Sequence, residues 1–175
     1  MSDFLEISPE QLTGNPFQQI GSDWMLVTAG NKNQLNTMTA SWGSLGVMWN
    51  LPVAQIVIRP QRYTREFIDA EAAFSLSFLS ERYRRQLNYL GTVSGRDGDK
   101  IHHSGLTTAA VEGIPYICEA DQVLFCKVLY RQLMNPACFA QPDVIRPFYP
   151  ERDYHIAYTA RITKVFERPA ASIWT

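Results

Sequence analysis

The stretch IAYTARITKVF, residues 156–166, carries the clearest structural pattern of the chain, because polar and apolar side chains alternate along it. Successive side chains of a β-strand point to opposite faces of the sheet, so alternation collects the apolar residues on one face. The apolar set that falls mostly on one face is Tyr158, Ala160, Ile162 and Val165, opposite Ala157, Thr159, Arg161 and Thr163. Such a strand fits an antiparallel sheet with one buried face and one solvated face.

Four further runs are rich in β-branched and aromatic residues, which favour strands. They are Trp24–Thr28, Val53–Arg59, Phe74–Leu79 and Val123–Arg131. The turn-forming residues Ala29–Asn33 follow the first of these runs and predict a hairpin loop. The segment Leu133–Pro150, called the excursion below, is rich in proline, and we expect it to lack regular structure.

Two short helices are predicted between these strands. Thr64 is suited to cap a helix over Arg65–Glu71, and Ser80 is suited to cap one over Ser80–Leu90. Gly91 follows where a helix of the second length would end. Many strands with two or three helices indicate a mainly β protein, a closed or nearly closed antiparallel barrel with a few peripheral helices.

Length and composition narrow the functional classes. The 175 residues favour one domain, residues 1–175. Lys and Arg total 16 against 17 Asp and Glu, so the chain lacks the basic excess of a nucleic-acid binder. No apolar run approaches the roughly 20 residues that span a bilayer, so no membrane partner is expected. Because Met1–Asp3 does not begin like a signal peptide, we expect a cytoplasmic protein whose three cysteines are small buried hydrophobes.

The run NTMTASWG, Asn36–Gly43, places several small polar side chains beside a tryptophan and a glycine. In a strand, Thr37, Thr39 and Ser41 would share one face. A buried polar group without a partner costs about 1–3 kcal/mol, so a core strand would seldom have this composition. One interpretation is a polar edge strand. The other is a strand that presents hydroxyl and backbone N–H groups to a ligand, with Gly43 permitting close approach.

The segment RPQRYT, Arg59–Thr64, ends an apolar strand with two arginines, a tyrosine and a threonine. Arginine recognises phosphate through planar, paired hydrogen bonds. Thr64 as a helix cap, with the free N–H groups of the following turn, would add an anion-binding site. A solvated strand end is the alternative for this segment alone, but two such features close together in sequence favour a ligand site.

A third polar segment, SGRDGDK at Ser94–Lys100, lacks the spacing of a phosphate-binding P-loop and of an EF-hand. Lys100 would supply one charge to an anion, and an ordinary solvated turn is the alternative. The adjacent His102 and His103 and the solitary His155 make a poor metal site. No nucleophile-elbow motif is present, so no catalytic side chain and no metal ligand is assigned.

Together, NTMTASWG, RPQRYT and SGRDGDK resemble the flavin reductase-like, FMN-binding split-barrel proteins, and the flavoredoxin-type branch is the most similar. The likeness covers about Asn15–Phe166. It implies a six-stranded antiparallel split β-barrel with Greek-key elements, a homodimer, and FMN near the dimer interface. The cofactor-binding residues that it implies are Asn36, Met38, Thr39, Ala40, Ser41, Trp42, Arg59, Arg62, Tyr63, Thr64, Ser94 and Lys100.

The resemblance also divides these residues by role. Asn36 and Thr39–Trp42 would address the isoalloxazine ring and the ribityl chain of FMN. The residues implied around the phosphate are Arg59, Arg62, Tyr63, Thr64, Ser94 and Lys100. Among them, Arg59 contributes only if its side chain leaves the strand on the face of the site.

The implied function is that of an oxidoreductase, an NAD(P)H-dependent flavin reductase in which a nicotinamide passes hydride to FMN. One alternative is a flavoredoxin-like electron carrier that a protein partner reduces. Another is a binding module that keeps the fold without the flavin, although the cluster of phosphate-type donors argues against it. The sequence leaves open the choice between NADH and NADPH, the electron acceptor, whether FMN is a prosthetic group or a substrate, and the role of the excursion.

Overall fold

The protein is a curled antiparallel sheet with short helices at its edges, described for residues 4–169 by a computed structural model. The strands are β1 Leu5–Ile7, β2 Met25–Gly30, β3 Leu35–Ala40, β4 Gly43–Met48, β5 Leu51–Ile58, β6 Ala73–Phe78, β7 Thr108–Val111, β8 Ile114–Ile117, β9 Gln122–Leu133 and β10 Ile156–Glu167. The α-helices are α1 Pro16–Gln18, α2 Thr64–Glu71, α3 Arg84–Thr92, α4 Lys100–Ser104 and α5 Pro142–Ile145. Met1–Asp3, on which the signal-peptide expectation rests, lie outside the described residues. Residues 170–175, the end of the predicted domain, lie outside them as well.

Short turns of other helix types complete the described elements. They are the 3-10 helices Pro9–Gln11, Glu81–Tyr83, Pro136–Cys138 and Arg146–Phe148 and the π-helix Gln19–Asp23. Within residues 4–169, no helix is long and apolar enough to cross a membrane.

The main sheet closes almost completely on itself. Its strand order is β3-β2-β6-β9-β10-β5-β4, with β1 added beside β10, and β7 and β8 form a separate hairpin. β3 and β4 lie at opposite ends of this order, yet only Ser41 and Trp42 join them in the chain. The sheet must therefore curl until its ends meet, which leaves a barrel split between β3 and β4. The predicted mainly β, antiparallel split barrel is confirmed, although the described sheet has eight strands where six were expected.

β10 pairs with three strands, β9, β5 and β1, and follows the predicted pattern. Tyr158, Ala160 and Ile162 are at most 4% exposed and belong to the main core. The register against β9 shifts between Ile162 and Lys164. Such a bulge adds one residue to one strand, and here it returns Val165 to the core although that residue breaks strict alternation.

The other predicted strands also form, with changed ends. β2 begins one residue later than predicted because Trp24 has a φ of 70°, which is not extended backbone. The predicted hairpin loop is confirmed between β2 and β3, where Asn31 N donates to Gln34 O at 2.9 Å. Strands β1, β4, β7 and β8 were not predicted, because runs of 3–6 residues carry little periodic signal.

The second predicted helix is divided, and its C-terminal end differs from the prediction. A 3-10 turn, Glu81–Tyr83, precedes α3, so the helix is not continuous from Ser80. Gly91 lies inside α3 and does not cap it. A Cβ at Gly91 would come within 3.2 Å of Thr39 Cβ on β3. The glycine therefore serves the close packing of α3 against β3.

The excursion is more ordered than predicted. It contains two 3-10 turns and α5, so the expectation that it lacks regular structure is wrong. A proline stands at the first or second position of each of these turns, where its missing N–H is tolerated and its fixed φ favours the helix. The cysteine prediction is correct for Cys126, which is buried, and wrong for Cys138, which is exposed.

Candidate functional site

Two adjacent cavities bring together all twelve residues that the sequence singled out. The Lys100 cavity, with a volume of about 300 Å³, is lined by five of them: Asn36, Tyr63, Thr64, Ser94 and Lys100. The Trp42 cavity, with a volume of about 230 Å³, is lined by four others: Thr39, Ala40, Ser41 and Trp42. Met38, Arg59 and Arg62 line both cavities, which makes the two halves of one site.

Three segments distant in sequence are locked together at the Lys100 cavity. Asn36 on β3 donates from Nδ2 to Thr64 Oγ1 at the start of α2, at 2.8 Å, and both residues are at most 4% exposed. Gly95, from the loop after α3, packs directly on them. A Cβ there would overlap Asn36 Oδ1 and lie 3.2 Å from Tyr63 Cδ1. The absence of a side chain at Gly95 thus lets this loop close the cavity.

Two cations of the Lys100 cavity, Lys100 and Arg62, form none of the ion pairs found among residues 4–169. Lys100 is only 4% exposed, and its Nζ donates to Leu90 O and Val93 O, each at 2.9 Å. Burial, with the nearby Arg62 charge, lowers the pKa of Lys100 to about 8. Arg62 likewise donates to a carbonyl, Gly91 O, at 2.8 Å. Burial, followed by the charge of Arg59, lowers the pKa of Arg62. A bound anion would relieve this repulsion and restore both pKa values.

The start of α2 differs from the predicted anion site. Its N-cap is Tyr63, so the predicted cap at Thr64 is wrong, and Thr64 is the first helical residue. The N–H groups of Arg65 and Glu66 donate to Arg62 O and Tyr63 O, both at 3.1 Å. These two groups were expected to be free, and that expectation is wrong. An anion in this cavity would therefore depend on cationic side chains more than on the helix end.

In the Trp42 cavity, one hydroxyl group that the sequence offered is already occupied. Thr39 Oγ1 donates to Leu87 O on α3 at 2.5 Å, so that hydroxyl proton is already used. A Cβ at Gly43 would overlap Gln55 O, which shows that Gly43 serves the pairing of β4 with β5. β3 is the end strand of the sheet order, as the polar edge-strand interpretation expected, and the ligand interpretation stays a prediction.

Arg59 reaches the site, but the excursion holds its side chain. Its Nη1 forms an ion pair with Asp153, and its Nη2 donates to Phe148 O at 2.7 Å. Gln61 Nε2 donates to the same Asp153 carboxylate at 2.8 Å. Phe148 in turn meets Trp42 edge to face, with ring centroids 5.2 Å apart. Arg59 therefore joins the excursion to the wall that the two cavities share.

His155 is a lining residue of the Trp42 cavity that sequence reasoning set aside as solitary. It stands immediately before β10, and its ring lies 5.1 Å from the ring of Trp42. Its Nδ1 shares a hydrogen bond of 2.7 Å with the hydroxyl of Tyr149. Burial, followed by the charge of Arg59, lowers the pKa of His155 to about 4. The imidazole is therefore neutral at physiological pH.

We expect His155 to stay uncharged from pH 8 down to about pH 5. An unfolded chain would protonate this histidine near its ordinary pKa of 6.5, whereas the folded protein resists until about 4. The free energy of unfolding therefore falls as the pH drops below about 6.5, by roughly 2 kcal/mol between pH 7 and pH 5. Histidine-detected NMR titration measures the charge, and a His155→Gln variant should lose this part of the pH dependence. Protonation of His155 near pH 6.5 would contradict the prediction.

The other missed lining residues carry no charge, and two of them, Gln61 and Gly95, lie inside polar segments that the sequence analysis singled out. The missed residues are Val57 in the Trp42 cavity and Gln61, Thr92, Val93 and Gly95 in the Lys100 cavity. Three of these follow α3 directly or lie at its end, and the adjacent polar segment was the only sequence feature that pointed to that region.

Solved structures of known proteins share this fold. A flavoredoxin from Methanosarcina acetivorans matches with a TM-score of 0.66 and 23% identity, over 83% of this chain and 68% of that one. An FMN-binding domain of a flavin reductases-like enzyme from Shewanella baltica matches with a TM-score of 0.67 and 15% identity, over 94% of this chain and 77% of that one. An FMN-binding protein from Thermus thermophilus matches with a TM-score of 0.67 and 20% identity, over 90% and 76%.

The family assignment comes from a family model, because these structural likenesses show the fold alone. No curated protein matches the chain. The model of the flavin reductase like domain matches residues 17–169, which include both cavities and every described strand except β1. The chain therefore belongs to the flavin reductase-like domain family.

Proposed function

We propose that the protein is an FMN-binding oxidoreductase. The observation that carries the proposal is the pairing of Lys100 and Arg62, two buried or half-buried cations that donate to carbonyl groups and lie beside a third, Arg59. A phosphate is the natural counter-ion for such a set, because charge-assisted hydrogen bonds are strongest where water is excluded. The relatives from Shewanella baltica and Thermus thermophilus are named as FMN-binding, and this supports the assignment.

The residues present fit FMN in shape as well as in charge. The Lys100 cavity would take the phosphate, with Arg62, Lys100 and the Ser94 loop as partners. The Trp42 cavity would take the flat ring, against Met38 and the Thr39–Trp42 backbone. The two cavities, of about 300 and 230 Å³, are adjacent, and together they have the size of a small-molecule site.

FMN, when bound, would supply the capacity to accept a hydride and to release electrons. This chain's residues would bind and orient it. The backbone N–H groups of Thr39–Trp42 would lie where negative charge collects on a reduced ring, and preorganised donors of that kind stabilise charge. The neutral His155 and Trp42 would exclude water from the same side.

The electron donor that we propose is NADH or NADPH. Two experiments test the function in order. The absorption spectrum of the protein, before and after addition of FMN, should show the visible bands of bound flavin, and a colourless protein that takes up no FMN would overturn the proposal. Anaerobic mixing with each nicotinamide should then bleach the flavin rapidly. Bound flavin that neither nicotinamide bleaches would assign the protein to the alternative, an electron carrier reduced by a protein partner.

We also propose that the chain is one domain over residues 1–175 and acts as a homodimer. Large apolar side chains are exposed along β4 and next to it: Val47 is 78% exposed, Trp49 58% and Phe17 87%. Contiguous exposed apolar surface is typical of an interface. The free cysteines suit the cytoplasm, where thiols stay reduced. Light scattering at known concentration measures the dimer, and a monomer at micromolar concentration would argue against it.

We expect FMN affinity to fall as the pH rises above about 8. Lys100 loses its proton near that pH in the folded protein, whereas its ordinary pKa is 10.5. A phosphate monoester has its second pKa near 6, so the dianion and the ammonium coexist only between about pH 6 and 8. Titration of FMN at several pH values measures this. A Lys100→Met variant should bind more weakly at pH 7 and show no further loss above pH 8, and an alkaline decline that persists in it would contradict the role of Lys100.

A further inference from the structure

A further cavity, of about 390 Å³, lies between the excursion and the residues that directly follow it, and we call it the excursion cavity. Three aromatic side chains, Phe139, Tyr149 and Tyr154, line it together with three prolines and Ile145. Two arginines, Arg146 and Arg152, complete the lining, and no acidic residue does. Apolar walls with a few convergent polar groups are typical of small-molecule sites, and this volume is within their range.

The three aromatic rings lie against one another at shallow angles. Their planes are tilted by only 31–37° from one another, with centroids 4.8–6.2 Å apart. In the core around Phe125 most ring pairs meet edge to face at 76–88°, and one pair, Phe4 and Phe166, is stacked at 27°. Stacked and edge-to-face pairs are both favourable, and a flat aromatic guest would extend the stacked kind.

The charges at this cavity favour an anionic guest. Arg152 is exposed and forms none of the ion pairs found within the described part of the chain. Arg146 has a partner, Asp143, but at 3.5 Å and with both side chains more than three-quarters exposed. Such a surface pair contributes little, so Arg146 remains able to bind a stronger acceptor. Flat apolar faces beside two guanidinium groups match an aromatic base that carries phosphate.

Tyr149 links the lining of this cavity to the lining of the Trp42 cavity. Tyr149 lines the excursion cavity and is 8% exposed. Its hydroxyl shares the 2.7 Å hydrogen bond with His155, and Arg59 Cζ lies 5.3 Å above its ring. Both of those partners line the Trp42 cavity. A ligand with two ring systems joined by a flexible charged linker would therefore be able to use both cavities at once.

We propose that the excursion cavity binds the adenosine phosphate half of the nicotinamide dinucleotide donor. The adenine would stack on Phe139 and Tyr154, and the phosphates would meet Arg146 and Arg152. This proposal rests on the proposed function, because it places the second half of the molecule whose nicotinamide reaches the flavin. It also assigns a role to the excursion, which would recognise the donor without a glycine-rich nucleotide fingerprint.

The test uses the FMN-loaded protein and ADP-ribose, which is NADH without its nicotinamide, with AMP as a shorter probe. Calorimetric titration should show saturable binding. An Arg152→Ala variant should bind ADP-ribose roughly tenfold more weakly, the effect of losing one charge-assisted hydrogen bond. Tyr154→Leu, which removes a stacking face, should weaken both probes. Arg161→Ala is the matched control, since Arg161 is an exposed arginine on β10 outside the cavity lining.

The outcomes separate this proposal from the proposed function. FMN uptake without saturable binding of ADP-ribose or AMP would overturn the nucleotide site alone. Loss of FMN uptake would overturn the function itself. Binding that survives both Arg152→Ala and Tyr154→Leu would place the nucleotide elsewhere and also overturn the inference. Displacement of AMP by benzoate at equal concentration would assign the cavity to simple aromatic carboxylates, which is a different occupant.

Discussion

Replacing Arg62 with alanine is expected to weaken FMN binding by about 1–3 kcal/mol, a factor of roughly 5–150 in the dissociation constant. Arg62 lines both cavities and donates to Gly91 O, so its guanidinium is already oriented before a ligand arrives. Its charge lies beside those of Lys100 and Arg59. Arg59 is already paired with Asp153, so removal of one of the two cations without a carboxylate partner among the described residues should be felt most by a phosphate. Quenching of FMN fluorescence on titration measures the constant.

Arg96 supplies the matched control for Arg62. It also packs near the site, with Cζ 4.6 Å from the ring of Tyr63, but it pairs with Glu66 and lines neither cavity. Arg96→Ala should therefore leave FMN affinity nearly unchanged. Arg62→Lys, which keeps a charge, should recover part of the loss, and circular dichroism verifies folding of each variant. Equal affinities for Arg62→Ala and the wild-type protein would remove Arg62 from the phosphate site.

A methyl group at Gly95 is expected to damage both stability and binding. In Gly95→Ala the new Cβ would overlap Asn36 Oδ1 and lie 2.9 Å from Asn36 Cγ. Asn36 is 4% exposed and bonded to Thr64, so it has little room to move. Overpacking of this kind costs about 1–3 kcal/mol of unfolding free energy. Displacement of the loop should also lower FMN affinity by roughly tenfold, about 1.4 kcal/mol, because Ser94 and Lys100 move with it.

Gly46 supplies the matched control for Gly95, because it is a glycine with open space around it. A Cβ there would meet nothing within 4 Å, on β4 of the same sheet. Gly46→Ala should therefore change the urea midpoint little, whereas Gly95→Ala should lower it clearly without changing the slope of the transition. A Gly95→Ala protein with wild-type midpoint and FMN affinity would show that the loop adapts easily, which would contradict the close packing argued for it.

The predictions from sequence succeeded where a local pattern has one physical meaning. Alternation over Ile156–Phe166 can bury one face only as a strand, and β10 forms with nearly those bounds. They failed at helix ends. Thr64 has the chemistry of a cap, but it is the first residue of α2 and its hydroxyl accepts from Asn36 on β3. Gly91 has the chemistry of a helix end, but it serves the contact between α3 and Thr39. Long-range contacts override local preference at both positions.

The candidate site shows the same division. Polar runs in otherwise apolar surroundings identified Asn36–Trp42 and Arg62–Thr64, because unpaired polar groups are costly unless something binds them. The charge state of the site could not be predicted from the sequence. The lowered pKa values of Lys100 and His155 arise from burial and from arginines that lie elsewhere in the chain. Nor did any feature around His155 connect it with Trp42, whose ring it meets across the fold.

The amino-acid pattern alone thus established a mainly β antiparallel protein, its family resemblance, and twelve residues that prove to share one place. Those results follow from periodicity and side-chain chemistry, which are properties of short segments. The three-dimensional arrangement settled which donors are free, which are already paired, and that Asp153 and Tyr149 of one long connection reach Arg59 and His155. The contact between Tyr149 and His155 spans only six residues, whereas Arg59 and Asp153 lie 94 residues apart in the chain. Arg59 and Asp153 meet because the strands beside them, β5 and β10, pair in the sheet, and a short segment read by itself cannot show that pairing.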